Sequence, residues 1–152
     1  KGLNFTPKIN EQFPNCLRQG GARIGKFEYA SGATPNLSND FPIFRLADIL
    51  LVKAEALWRK NNADATALAI VNQIRARALA TPFSALTADL LLAERGREMF
   101  AEGWRRQDLI RFGQYTAARP YKPADTKACF DIFPIPKPQL DANKSLKQNP
   151  CY

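Results

Sequence analysis

Nine charged side chains crowd the twenty-three residues AERGREMFAEGWRRQDLIRFGQY, Ala93 to Tyr115. Glu94, Glu98 and Glu102 recur every four residues, so a helix would place all three on one stripe. Asp108 follows, with Arg111 three residues further on. Paired carboxylates are the machinery of glycoside hydrolysis; charge at this density also marks a solvated helix face, a nucleic-acid groove or ion pairs that register packed helices. Like charges four apart repel by about a few tenths of a kcal/mol each, so the stripe requires cations nearby. Arg97 on the same helix and Arg75 and Arg77 on the preceding one are placed to supply them, and Asp108 can pair with Arg111. An acid flanked by guanidinium groups stays ionised, whereas a general acid must keep its proton near neutral pH. Hydrolysis is therefore rejected and no catalytic residue is expected. The reading favoured is a structural ion-pair network of Arg75, Arg77, Glu94, Arg95, Glu98, Glu102, Arg105, Asp108 and Arg111.

Arginine suits that role because its planar fork grips a carboxylate through two bonds. From Ile43 to Arg119 there are twelve basic and eight acidic residues. Eight of the twelve cations lie at or beyond Arg75, and all eight are arginines. Such pairs add little net stability; what they fix is how helices register.

The whole chain carries 22 basic and 14 acidic residues, a net charge of +8. That balance permits nucleic-acid or anionic-surface binding without requiring it. The excess is spread out, with no basic block of five or six, and a nucleic-acid groove is the weakest of the readings. Histidine is absent, which removes the usual general base near neutral pH and the commonest metal ligand. Cys16, Cys129 and Cys151 form no CxxC spacing, so neither a metal site nor a cofactor is expected. One disulfide with a free thiol fits an exported protein, and three buried thiols fit equally well. No apolar run approaches the ~20 residues that span a bilayer. The opening KGLNFTPKIN has no methionine and no apolar leader, and is read as internal to a longer protein.

Proline divides what must position the charges. Of eleven prolines, four precede Ile43 and six follow Arg119, with Pro82 alone between. Two proline-free blocks result, as helices require. RLADILLVKAEALWRK, Arg45–Lys60, puts Leu46, Ile49, Leu50, Lys53 and Leu57 at helical spacing, and Asn61-Asn62 ends it. A second helix is expected from Asp64, a fitting N-cap, to Leu79, with Leu68, Val71, Ile74 and Ala78 inward. Arg45 to Ala78 makes 34 residues of helix-turn-helix, the length of a tetratricopeptide-type unit. In the second block Thr87 caps a helix with Leu91, Leu92, Arg95, Met99 and Phe100 inward. Gly103 then marks a break before a last helix, Trp104 to Tyr115.

The expected fold class is mainly all-α, built of tetratricopeptide-like helix pairs with irregular proline-rich segments at both ends. Residues 1–42 read as loops, with RIGKFEY, Arg23–Tyr29, a short strand. Residues 43–119 form the helical block. Residues 120–152 form an extended tail, docked on the helices through Phe130, Ile132, Phe133 and Ile135.

Four stretches together carry a family likeness. FPIFRLADILLVKAEAL offers Arg45, Ala47, Asp48, Leu51, Ala54, Glu55 and Ala56; NQIRARA offers Arg75, Arg77 and Ala78. ERGREMFAEGWRRQDLIRFG offers Glu94, Arg95, Glu98, Glu102, Gly103, Arg105, Asp108, Leu109 and Arg111. The ending FPIPKPQLDANKSLKQNPCY offers Pro134, Ile135, Pro136, Gln148, Asn149, Pro150 and Tyr152. In this order, over residues 41–152, they resemble the C-terminal portion of the SusD/RagB family. Gly96 stands where that family often has a second arginine, Phe112 replaces a tryptophan, and Cys151 replaces the glycine before Tyr152.

The resemblance implies a cell-surface, outer-membrane lipoprotein that binds a glycan or other nutrient and caps a SusC-like TonB-dependent transporter. It implies a helical scaffold facing that transporter, an oligosaccharide ligand held mainly by parts of the parent outside this chain, and no enzymatic activity. Membrane attachment would be through a lipid anchor upstream of Lys1, and no nucleic acid is involved. No ligand-binding residue carries over by motif. Trp58 and Trp104 are read as packing residues rather than sugar platforms; Tyr29, Tyr115 and Tyr121 are more loop-like. The competing reading is a cytoplasmic helical-repeat module for protein interaction, which needs the same helices and a different N-terminus.

Overall fold

A computed structural model describes residues 40–119, 122 and 127–152, with positions 20, 21, 24–27, 32, 34 and 36–38 before them. The chain divides into two compact units, Lys1–Phe41 and Pro42–Tyr152. In the first, Arg23, Glu28 and Tyr29 of the expected strand lie outside the described residues, and residues 24–27 are irregular. Cys16 also lies outside them.

The second unit is helical, with no β-sheet among the described residues: α1 Leu46–Lys60, α2 Ala65–Arg77, α3 Ala88–Glu98, α4 Arg105–Arg111, a 3₁₀ turn Ala128–Asp131, and α5 Lys137–Ala142. This agrees with the all-α expectation of stacked helix pairs. Local chemistry sets the boundaries. The Asp64 side chain accepts from the Ala67 N–H at 2.8 Å, and Thr87 Oγ1 accepts from the Leu90 N–H at 3.2 Å, each satisfying a donor that a helix start leaves open. Asn61 ends α1, its N–H donating to the Leu57 carbonyl. Gly103, at φ +83, makes the break between α3 and α4. The last helix is shorter than expected, because Gly113, at φ +68, ends it.

The core lies between α1 and α2 and under α3. Leu51, Ala54, Ala67, Ile70, Val71, Ile74, Leu86 and Leu91 are buried together, with Leu57, Trp58 and Phe83 packed against them. Trp58 is thus a packing residue, its Nε1 donating to the Leu86 carbonyl at 3.2 Å. The apolar stripe read at helical spacing on α1 meets the core only in part, through Leu50 and Leu57. Leu46 is 74% exposed and Ile49 55%, whereas Asp48, Leu51, Ala54 and Glu55 are buried. Helical periodicity does not single out the inward side, because α1 carries apolar residues on more than one side. Ala78 and Phe100 are likewise exposed, while Ala67 and Ile70 line the core instead.

The loop from α2 to α3 is pinned by Asn72, which exchanges two hydrogen bonds with the Phe83 backbone at 2.8 and 2.9 Å. The tail is organised mostly by its own polar side chains. Gln148 pairs with Ile135 as a strand would, accepting from its N–H at 2.8 Å and donating to its carbonyl at 2.9 Å. Asn149 Nδ2 donates to the Phe133 carbonyl at 2.7 Å, and the Tyr152 hydroxyl donates to the Ile132 carbonyl at 3.0 Å. A disulfide joins Cys129 to Cys151. Ile132 and Phe133, expected to clamp the tail by burial, are exposed.

Candidate functional site

The charged stretch sits where α1, α3 and α4 meet. Arg95, on the inward face of α3 and 3% exposed, lies at its centre. Its Nη1 donates to Asp48 Oδ1 of α1 at 3.0 Å, and its Nε to Asp108 Oδ1 of α4 at 2.7 Å. One guanidinium therefore ties three helices. Asp108 also takes Arg111 Nη2 at 2.7 Å, and Arg111 Nη1 reaches Glu55 of α1, which takes Arg59 Nε at 2.7 Å as well.

A second cluster lies at the start of α1. Arg45 occupies the N-cap position but does not cap with its side chain. Instead its Nε and Nη2 grip both oxygens of Glu102 at 2.7 and 2.9 Å, and its Nη1 meets Glu98 Oε1 at 2.6 Å. Glu98 is also held by Arg77 of α2 at 2.6 Å, while Glu94 takes Arg75 at 2.6 Å and Arg97 at 2.5 Å. Glu94 and Glu98 on α3 thus find cations, whereas Glu102, expected on the same helical stripe, lies past the end of α3 and is reached by Arg45 instead. The hydrogen bond to Glu102 raises the pKa of Arg45 above the ordinary arginine value; burial opposes it, and Glu98 adds to it. For Arg111 burial is the largest influence and lowers the value, yet hydrogen bonds to Glu55 and Asp108 outweigh it and the net shift is upward. Both stay cationic at every ordinary pH.

The structure brings together eight of the nine residues expected here: Arg75, Arg77, Glu94, Arg95, Glu98, Glu102, Asp108 and Arg111. Arg105 stands apart. Its Nη1 donates to the Leu92 carbonyl at 2.7 Å, crossing α3 over Gly96. A Cβ added to Gly96 would lie 2.8 Å from that nitrogen, so the missing side chain at 96 makes the path possible. Sequence reasoning missed Arg45, Asp48, Glu55 and Arg59 as partners. The signal was present: Asp48 and Glu55 are seven apart, two turns of one face, on the stripe that holds Leu51.

Chemically the arrangement neutralises charge in place. Asp48, Glu55, Glu94, Glu102 and Asp108 are all buried, and each meets at least one arginine. Removing one partner of such a pair leaves a charge stranded out of water, which costs about 3–5 kcal/mol. No group of histidine, cysteine and acid side chains among the described residues is disposed to hold a metal ion, and no described helix is long and apolar enough to cross a membrane. Of the aromatics, Trp104 makes a tilted contact with Phe44 at 6.0 Å between ring centres, and Tyr115 lies beneath the Arg106 guanidinium at 5.0 Å. Tyr29 and Tyr121 lie outside the described residues.

The sequence pattern of the SusD family matches residues 18–127, a stretch that contains every residue of this lattice. The starch-binding protein SusD of Bacteroides thetaiotaomicron is 34% identical over 122 residues, covering 74% of this chain and 22% of that protein. Among solved structures, the surface glycan-binding protein A of Bacteroides uniformis superposes with a TM-score of 0.63 at 28% identity, covering 73% of this chain and 28% of the other. The chain thus spans about a quarter of the length of these two relatives. With the family's pattern matched over residues 18–127, the chain belongs to the SusD family.

Proposed function

We propose that the chain is part of a cell-surface nutrient receptor of the outer membrane, a lipid-anchored protein that binds a glycan and hands it to a SusC-like TonB-dependent transporter. The observation that carries this reading is the 34% identity with a starch-binding protein over 74% of the chain. In this reading the lattice is a passive frame that keeps α1, α3 and α4 in register and takes no part in chemistry. The exposed apolar side of α1, with Leu46, Ile49 and Val52, is the surface assigned to protein contact. The Cys129–Cys151 disulfide supports an oxidising, exported setting over a cytoplasmic repeat module, because reducing compartments keep thiols free.

The test is a glycan panel titrated against the longest natural polypeptide containing these residues, alongside protease shaving of intact cells. The expected result is saturable binding of at least one glycan and loss of the protein from shaved cells. Protection from the protease with no glycan bound would return the cytoplasmic module as the better reading.

A further inference from the structure

Between α1 and α4 opens a cleft of about 650 Å³ whose walls include Phe44, Ile49, Val52, Trp104 and Ile110. Phe44, Ile49 and Val52 stand exposed, and the Phe44 and Trp104 rings make a tilted pair with centres 6.0 Å apart. Asp108 also lines the cleft, although only 2% of it is exposed. Its Oδ1 serves the lattice, accepting from Arg95 Nε and from Arg111 Nη2 at 2.7 Å each. Its Oδ2 is buried and has no hydrogen-bond partner. A carboxylate oxygen out of water without a donor bears its full desolvation cost, and such atoms are rare in folded proteins. The cleft therefore joins apolar and aromatic walls to an unsatisfied acceptor.

We infer that this cleft is a socket for a tyrosine or tryptophan side chain of a partner protein, on the α1 surface assigned above to protein contact. Those two residues have what the cleft requires, a flat apolar body carrying an O–H or N–H donor. A third ring beside Phe44 and Trp104 gains the tilted or offset contacts that aromatic pairs prefer. Asp108 Oδ2 gains a charge-assisted bond. Phenylalanine would leave that oxygen unsatisfied. A lysine or arginine tip would bring a further cation to a cleft already bordered by Arg95, Arg106 and Arg111. A sugar ring would turn several hydroxyls onto aliphatic walls that cannot bond them. Tyrosine and tryptophan are also the anchors that protein interfaces favour, seated in desolvated pockets near the centre of the contact. The inference rests on the protein-contact reading of α1 but can fail separately from the receptor reading.

The experiment titrates the chain with side-chain analogues while following the Trp104 indole N–H signal by NMR. p-Cresol and 3-methylindole stand for tyrosine and tryptophan, toluene and 1,3-dimethylindole for the same rings without a donor, and propylguanidinium for arginine. Water holds p-cresol better than toluene, so a purely apolar cleft takes toluene more tightly. A socket lined by Asp108 reverses that order. p-Cresol binds about tenfold more tightly than toluene, the gain of one hydrogen bond to a charged group, and 3-methylindole outbinds its N-methyl form. Ile49→Arg, at an exposed position on the wall, abolishes p-cresol binding. Leu46→Arg, the same kind of change at an exposed α1 position outside the cleft, leaves it unchanged. Toluene binding as tightly as p-cresol, equal weakening by both variants, or propylguanidinium binding tightest overturns the socket. No binding by any analogue overturns it too, and leaves the receptor reading to its own glycan and shaving tests. Maltotriose shifting the same signal, with the shift lost in Ile49→Arg, overturns the socket in favour of a glycan subsite.

Discussion

Between α1 and α2 the contact is aliphatic: Leu51 and Ala54 meet Ile70, Val71 and Ile74 with no polar atom among their side chains. One quarter-turn round the same α1, towards α3 and α4, the inward residues are Asp48 and Glu55, answered by Arg95, Arg111 and Arg59. The acids at the second junction are as buried as the aliphatic residues at the first, although Arg59 and Arg111 reach them from the exposed side; the two differ in what they specify. Aliphatic packing is non-directional and tolerates repacking if volume is kept. A guanidinium between two carboxylates on different helices admits one register, since a shift of one residue breaks both pairs. The aliphatic side holds the pair of helices together; the ionic side sets where the third and fourth helices sit.

The largest expected break is Arg95→Met. It leaves Asp48 and Asp108 buried against an apolar chain, and unfolding stability should fall by about 3–5 kcal/mol, read from a denaturant midpoint. Replacing all three residues together with apolar ones of similar volume should recover most of that loss. A drop below about 1 kcal/mol for Arg95→Met, within the range of an ordinary surface pair, would mean that the junction is wetter than the structure shows.

On the aliphatic side, Leu51→Ala should cost about 2–5 kcal/mol, through lost burial and the cavity left behind. Leu51 is fully buried. Unlike Arg95→Met, this loss has no charge partner to remove in compensation, so adding Asp48→Leu to it should not restore stability. Recovery in that double variant would erase the distinction between the two junctions.

Arg45→Gln should cost less, about 1–3 kcal/mol, because Arg45 is partly exposed, Glu98 keeps Arg77, and a glutamine amide can still donate a hydrogen bond to the buried Glu102. Its pH dependence sharpens the comparison. The guanidinium pKa is raised on folding, so its stabilisation is complete below the ordinary arginine value and fades only as pH rises through the raised one. The melting-temperature gap between wild type and Arg45→Gln should therefore stay constant from about pH 7 to about pH 10. A gap that closes within that window would show that another group carries the effect.

The helices and their caps were legible in the sequence, because Asp64, Thr87 and Gly103 act through bonds and dihedrals local to a few residues. The acids on α3 and their arginine partners at 75, 77 and 97 were legible for a related reason: four-residue spacing creates a repulsion that adjacent elements must relieve. Asp48 and Glu55 were not. A buried acid reads from sequence as a solvent-facing one, and what distinguishes it is Arg95, 47 residues away from Asp48 along the chain. The same ambiguity hides which apolar residues of α1 face inward: of the stripe at helical spacing, Leu50 and Leu57 reach the core while Leu46 and Ile49 do not. Arg105 failed for want of geometry: its type fits an ion pair, but its path over Gly96 leads to a carbonyl.

Helix ends offer a smaller test. After α2 the chain closes with Ala80 N–H on the Arg75 carbonyl, and after α4 with Gln114 N–H on the Leu109 carbonyl. Each closure needs a left-handed residue just past the cap. Gly113 supplies it after α4 at φ +68, but Leu79 supplies it after α2 at φ 55. A side chain there costs about 1–2 kcal/mol, and Leu79, 96% exposed, buries nothing in return. Leu79→Gly should raise stability by about 0.5–1 kcal/mol, the flexibility of glycine in the unfolded chain offsetting part of the gain. A loss in the denaturant midpoint would show that Leu79 makes a contact that its exposure conceals.

The smallest expected effect is the most diagnostic of how Arg105 differs from its neighbours. Gly96 lies within α3, where glycine costs about 0.5–1 kcal/mol relative to alanine. The added Cβ would meet Arg105 Nη1 at 2.8 Å and Cζ at 3.1 Å. Because these atoms end a flexible side chain, Arg105 can swing away, at the loss of its bond to Leu92, about 0.5–1.5 kcal/mol. The two terms nearly cancel, and Gly96→Ala alone should move stability by less than about 0.5 kcal/mol in either direction. In an Arg105→Ala background nothing remains to displace, so Gly96→Ala should show its helix gain of about 0.5–1 kcal/mol. An identical effect in both backgrounds would mean that Arg105 does not cross α3 at Gly96, and that its place belongs with the ion pairs after all.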